Sequence, residues 1–239
     1  MADGNGGPFL RGGRGRRRAQ SAVLVLHGGR EHGTLATRPL QPSYLRMVDL
    51  YAGLRLRSRA CAVYLLRYRI AGWNAGQGVP DPVADARWAL RQISERHQTP
   101  IALLGHSMGA RTAFAVADHP NVIGVCALAP WLPDGEPLPP TGPGRRFVLA
   151  HGTADTTTSP PLSESYAMRL RAAGGSVARF ELAGGGHALL DSPLLWHTFA
   201  VRTTLGLAGD APLPPAVAAA LGDQGTDGLA VGLRASLAG

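Results

Sequence analysis

Cysteine is nearly absent from the 239 residues: only Cys61 and Cys126 occur, each beside an apolar run (CAVYLL and VIGVCALAP). Thiols so placed read as reduced core side chains, which argues against a disulfide framework and points to a reducing, cytoplasmic setting. Lysine is missing altogether. All 24 basic residues are arginine, a mark of genome composition rather than of chemistry. Long hydrophobic runs are missing too, and none approaches the roughly 20 residues of a membrane span. The apolar run Ala22 to Leu26, behind the N-terminal arginines, is too short for an export signal and has no small-residue cleavage site after it. His32, His97, His119 and His197 show no metal-ligand spacing, so no metal site is expected.

The formal net charge is +8, and half of it lies in residues 1–20, where Arg11, Arg14, Arg16, Arg17 and Arg18 oppose only Asp3. The remainder is dispersed with few aromatics interleaved, so neither a nucleic-acid surface nor a membrane patch is expected. Residues 1–20 are Gly/Arg-rich and read as a flexible tail. Residues 21–208 are long enough for a single domain with a sizeable core, and 209–239 form an Ala/Gly/Pro-rich extension with a short helix near Pro215 to Leu221. Oligomeric state leaves no mark on the sequence.

Short apolar runs alternate with segments of helical period, which predicts βαβ units and a parallel sheet covered on both faces. Six strands are predicted, over 22–28, 62–69, 101–106, 122–130, 147–152 and 177–184. Helices are predicted near 44–58, 82–97, 108–118, 161–173 and 193–207. Asp81 is expected to cap the second of these, with Pro82 in its first turn. Val83, Ala86, Leu90 and Ile93 then recur at spacings of three and four, giving one buried face.

In such a sheet the ligand crevice lies at the carboxyl ends of the strands. The run IALLGH ends at Ser107, AVLVLHG leads into Gly28 and Gly29, FVLAHG leads to Asp155, and VARFELAG leads through three glycines to His187. Ser107 sits in Gly-His-Ser-Met-Gly, where Gly105 and Gly109 permit a tight strand-to-helix turn. A serine hydroxyl needs a base to become a nucleophile, and a histidine base needs an acid to fix its tautomer. His187 suits the first role. Asp155 suits the second, and Asp134 stands where an acid could also reach. The amides of Gly29 and Met108 are the candidate oxyanion donors. Gly28, Trp73 and Trp131 are candidate substrate-facing residues, with Arg67 and Arg69 beside Trp73. His27, His106 and His151 read as structural histidines at strand ends.

With these motifs in this order, the chain resembles the α/β-hydrolase fold superfamily. The runs that carry the resemblance are LVLHGG, LLGHSMG, LAHGTADTTTSP and GGGHALL, between about residues 21 and 208. It looks most like small, lid-poor bacterial hydrolases grouped loosely with dienelactone hydrolases. The resemblance implies a three-layer α/β/α sandwich, Ser107 as nucleophile, Asp155 as acid, His187 as base, and Gly29 and Met108 as oxyanion hole. Dienelactone hydrolases proper carry a cysteine at the elbow, and haloalkane dehalogenases an aspartate, so Ser107 argues against both substrates. Because only about 20 polar residues precede the first strand, the two extra N-terminal strands of the full fold are expected to be missing. The expected sheet therefore has about six strands in the order 2-1-3-4-5-6. The activity so implied is hydrolysis of small or flexible carboxylic esters without a cofactor. An acyl thioesterase is the alternative, and a non-catalytic small-molecule binder on the same fold is a third reading.

Overall fold

The computed structural model describes residues 7–13, 19–74, 76 and 78–237. The predicted strands are present as β2 (Ser21–Leu26), β3 (Cys61–Arg67), β4 (Ile101–His106), β5 (Val122–Leu128), β6 (Arg146–Gly152) and β7 (Ser176–Leu182). Between and after them run α1 (Pro42–Arg57), α2 (Asp81–His97), α3 (Met108–Ala115), α4 (Pro160–Ala172), α5 (Pro193–Leu207) and α6 (Pro215–Gly222). The third helix is shorter than expected because the chain breaks into turns after Ala115.

The sheet has eight strands in the order β1-β3-β2-β4-β5-β6-β7-β8. Its central six follow the expected order and are all parallel. Two short edge strands correct the expectation of about six. β1 (Phe9–Gly12) lies within the stretch read as a flexible tail and pairs antiparallel with β3. Its residues are held by packing rather than by strand propensity: Leu10 is buried, and the Arg67 guanidinium lies 5.1 Å from the Phe9 ring centroid. Arg14, Arg16, Arg17 and Arg18 lie outside the described residues. At the opposite edge, β8 (Val231–Gly232) pairs with β7, so the C-terminal extension completes the sheet.

Alternate strand residues feed two cores. Leu24, Leu26, Tyr64 and Leu103 face α2, α3 and α4, while Val23, Val25, Leu104 and Val148 face α1, α5 and α6. Each fully buried aliphatic side chain contributes about 2 kcal/mol. Cys61 and Cys126 are buried without a disulfide. The face of α2 is buried as its spacing predicted, but Asp81 is no cap. Pro80 occupies the capping position, and the Asp81 carboxylate instead accepts from Asn74 Nδ2 at 3.2 Å and Arg69 Nη2 at 3.4 Å. An ionic partner in the preceding loop outcompetes the helix amides. No helix among the described residues is long and apolar enough to cross a membrane.

Asp210, just past α5, ties the start of the C-terminal extension to the turn after α1. Its two carboxylate oxygens accept from the amides of Arg59 and Ala60 at 2.7 and 2.6 Å, closing the turn between α1 and β3. Asp210→Ala is expected to lower unfolding free energy by about 2 kcal/mol, because two amides lose a charged acceptor; urea denaturation checks it, and an unchanged midpoint would refute the clamp.

Three histidines stand at the ends of β2, β4 and β6 and are buried: His27, His106 and His151. Burial pushes them down to about 4, 3 and 4 respectively, so they fold neutral. An unfolded histidine gains its proton below about 6.5. Their contribution is therefore present above that pH and lost as acid drives protonation between about 6.5 and 4. One histidine held neutral over that span is worth on the order of 3 kcal/mol. The urea midpoint should fall steadily from pH 6.5 to 4, and a flat midpoint across that window would contradict these burials.

Candidate active site

The loops carrying the candidate residues leave the carboxyl ends of β2, β4, β5, β6 and β7. Between β4 and α3 the chain turns at Ser107, whose φ of 57° and ψ of −121° no ordinary L-residue adopts without cost. The turn is fastened on both sides: the Ser107 amide donates to Leu128 O at 3.0 Å, and the Ser107 carbonyl accepts from Ala110 N at 3.0 Å and Trp131 N at 3.3 Å. A Cβ on Gly109 would enter the carbonyls of Leu26 and His27, and one on Gly105 would enter the Gly109 carbonyl. Only glycine at both positions lets α3 start this close to β2. Ala129, just past β5, and Leu189, in the loop that carries His187, also have positive φ, so backbone strain gathers at this rim.

Ser107, His187 and Asp155 come together here. Ser107 Oγ lies 3.0 Å from His187 Nε2, and His187 Nδ1 lies 2.8 Å from Asp155 Oδ2. A carboxylate only accepts, so Nδ1 carries the ring proton and Nε2 is free to accept from the serine hydroxyl. Ser107 and the Asp155 carboxylate are buried, whereas the His187 side chain keeps 19% exposure toward the crevice. Asp134 does not reach the histidine. It is exposed and accepts from the amide of Gly135.

Asp155 is held on both oxygens. Oδ1 accepts from the amides of Thr157 and Thr158 at 2.8 and 2.9 Å, and Oδ2 also meets Thr158 Oγ1 at 2.9 Å and His151 Nε2 at 3.1 Å. Burial by itself would raise this carboxyl. The Thr158 amide, the His187 ring and the Thr157 amide outweigh it, and the group is held at about 2. Thr158 and His151 escaped the sequence reading as partners of the acid. The four-residue spacing of His151 and Asp155 was the one trace of them.

Gly28 and Gly29 form the floor on the β2 side. A Cβ on Gly28 would lie 3.4 Å from Ser107 Cβ, and one on Gly29 would strike the Met108 side chain and the Ala71 carbonyl. Among the described residues, neither the Gly29 nor the Met108 amide has a hydrogen-bond partner. His27 explains one orientation. Its Nδ1–H donates to Gly28 O at 2.6 Å while Nε2 accepts from Tyr68 N at 3.2 Å. In a trans peptide the Gly29 N–H points opposite to the Gly28 carbonyl, so this bond turns the amide away from His27. His106 holds the other side: its Nε2–H donates to the His187 carbonyl at 2.9 Å.

Trp73 and Trp131 meet each other rather than the serine hydroxyl. Their rings stand edge to face at 6.0 Å, and the Arg111 guanidinium lies 4.1 and 4.4 Å from the two centroids. Arg111 is paired bidentately with Glu136. This cluster borders a cavity of about 450 Å³, walled further by Phe114 and Pro137 rather than by the serine or histidine. Arg69 is engaged with Asp85 at 2.5 Å, and Arg67 with Phe9. A second cavity, of about 440 Å³, opens between α1, α5 and the loop that carries His187; Leu45, Leu50, Leu189, Leu190 and Trp196 line it, with Arg46 among them.

No protein-family model and no curated protein matches the chain. Solved structures do. An α/β serine hydrolase homologue from Coxiella burnetii superposes with a TM-score of 0.59 at 16% identity, over 84% of this chain and 94% of that one. An α/β serine hydrolase without a lid, from Xanthomonas campestris, gives 0.60 at 15% identity, over 83% and 87%. A thermophilic esterase from Thermogutta terrifontis, with propionate bound, gives 0.58 at 17% identity, over 81% and 85%. In this chain the connection from β5 to β6, where a lid could be inserted, carries no helix. The chain is thus an α/β-hydrolase-fold protein without a large lid.

Proposed function

We propose that the protein is a serine hydrolase that cleaves carboxylic esters by acyl transfer. The observation that carries this reading is the unbroken line from Ser107 Oγ through His187 to Asp155, at 3.0 and 2.8 Å, on a strained strand-to-helix turn. Ser107 attacks the ester carbonyl as His187 Nε2 takes the hydroxyl proton. His187 returns that proton to the leaving alkoxide, and an acyl-serine remains. Water then enters, His187 takes its proton, and collapse of the second tetrahedral adduct frees the acid and restores Ser107. Asp155, ionised throughout, fixes the His187 tautomer and stabilises the imidazolium that forms in each half-reaction.

The developing oxyanion is assigned to the amides of Gly29 and Met108. Both lack another partner among the described residues, and that of Met108 opens α3, whose N-terminal end is electropositive. Such a donor lowers the barrier by about 3 kcal/mol. An oxygen leaving group needs less assistance than an amine, and one solved relative by fold is an esterase, which together favour an ester. The aliphatic cavity beside the His187 loop suits short to medium acyl or alkyl groups.

The test is a panel of p-nitrophenyl acetate, butyrate and octanoate together with acyl-CoA thioesters. Wild type should hydrolyse the oxygen esters, and Ser107→Ala should lose at least about 10⁴-fold in kcat with an unchanged circular-dichroism spectrum. Asp155→Asn should lose about 10⁴-fold, whereas Asp134→Asn should stay near wild type. Faster turnover of acyl-CoA than of any oxygen ester would reassign the leaving group to a thiol. A Ser107 that takes up no fluorophosphonate would reject hydrolysis in favour of ligand binding alone.

A further inference from the structure

Behind the acid, on the side away from the crevice, lies a buried polar line that the acyl-transfer scheme leaves unused. His151, at the end of β6, touches Asp155 Oδ2 with Nε2 at 3.1 Å and Ser163 Oγ with Nδ1 at 2.8 Å. Ser163, on α4, lies 3.3 Å from Arg179 Nε on β7. The His151 and Ser163 side chains and the Arg179 guanidinium are all buried, Arg179 with only 1% exposure. A cation and an imidazole shut away from water in the middle of a domain cost free energy unless their bonds are specific.

The direction of every bond in this line follows from the acceptors. The Asp155 carboxylate can only accept, so His151 must present Nε2–H to it, which leaves Nδ1 as a bare lone pair. That lone pair needs a donor. Ser163 Oγ–H has two candidates, His151 Nδ1 and the Pro160 carbonyl, both at 2.8 Å. Arg179 Nη2–H already serves the Pro160 carbonyl at 3.2 Å, which frees the hydroxyl for His151. Arg179 Nε–H then donates to Ser163 Oγ, and the guanidinium is completed by Glu181 Oε1 at 2.7 Å and the Leu229 carbonyl at 3.2 Å. Each link therefore donates toward the acid: guanidinium to hydroxyl, hydroxyl to imidazole, imidazole to carboxylate.

We propose that His151 is a positioning residue for the acid: held by Ser163 and Arg179, its Nε2–H shares Asp155 Oδ2 with His187 and thereby sets how strongly the carboxylate grips the base. This rests on the serine-hydrolase reading. Two imidazole N–H groups and the Thr158 hydroxyl compete for lone pairs on one oxygen. Whatever charge His151 draws toward itself is withdrawn from the bond to His187. Without His151 the carboxylate would hold the imidazolium more tightly, and the base would keep its proton to higher pH. The other ionisable groups facing this line are Glu181 and Arg179 on β7, His106 on β4, whose ring lies 4.9 Å from that of His187, and Arg46 on α1, whose charge acts on His106. Burial keeps His151 and His106 neutral at working pH, so the partners of His187 do not themselves titrate there.

The test compares kcat/KM against pH for p-nitrophenyl butyrate in wild type, His151→Phe and His151→Gln. Loss of the donor in His151→Phe should move the acid limb up by about half a pH unit and lower the plateau about tenfold. His151→Gln, which can present an amide N–H to the same oxygen, should return the limb toward wild type. An acid limb that stays put or moves down in His151→Phe overturns the proposal, because a merely structural histidine would cost rate without tightening the hold on the proton. Wild-type protein with ¹⁵N-labelled histidine supplies a readout independent of turnover and of variant folding. His151 should appear as the neutral Nε2–H tautomer from pH 5 to 8, and a proton on Nδ1 overturns the proposal. Should no ester be hydrolysed by wild type, the acyl-transfer reading fails while the tautomer measurement still decides the bonding of His151.

Discussion

Leu26 pairs with Gly105, Gly105 with Ala127 and Ala127 with Leu149, and through this parallel register four strands finish at one rim of the sheet. A slip of one residue would turn every core side chain toward the wrong layer, so the two apolar faces lock the register. The loops then have no choice of side. Ser107, Asp155 and His187 converge because the strands preceding them, β4, β6 and β7, run parallel within four adjacent strands, and the Leu128 carbonyl at the end of the intervening β5 accepts the Ser107 amide itself.

The same rim concentrates the costs of the fold. Positive φ at Ser107, Ala129 and Leu189, two glycines pressed against neighbouring carbonyls, and three buried histidines all lie within a loop of it. Packing of two aliphatic cores offsets those costs. The histidines of the site differ in exposure: His187 is left partly open to the crevice, while His27, His106 and His151 are buried behind it and hold respectively the Gly28 carbonyl, the His187 carbonyl and the Asp155 carboxylate. One residue type thus serves as proposed base and as scaffold, and burial separates the two roles.

Much of this was legible from residue order. Apolar runs of strand length alternating with helical periods predicted six parallel strands, and the resemblance to the α/β-hydrolase fold implied their order. The elbow glycines singled out Ser107, and strand ends singled out His187 and Asp155. What escaped were features whose cause lies far away in the chain. The four residues of β1, with Arg11 and Gly12 among them, become a strand because β3 offers an edge and Arg67 covers Phe9. Asp81 sits where a cap belongs, yet Arg69 and Asn74 claim its carboxylate. Trp73 and Trp131 share Arg111, a contact between residues up to 58 positions apart that no local pattern announces.

The sequence by itself determined which residues could do chemistry and at which edge they would emerge, because strand polarity and turn-forming glycines are local properties of the chain. Tertiary structure alone decided which of those residues touch. Asp155 rather than Asp134 reaches His187 since the loop after β6 folds back under its own Thr157 and Thr158 amides, while Asp134 faces solvent. It also decided that a histidine, a serine and an arginine from three elements line up behind that acid: hydrogen-bond partners 12 to 16 residues apart are set by how α4 packs across β6 and β7, which no local pattern encodes.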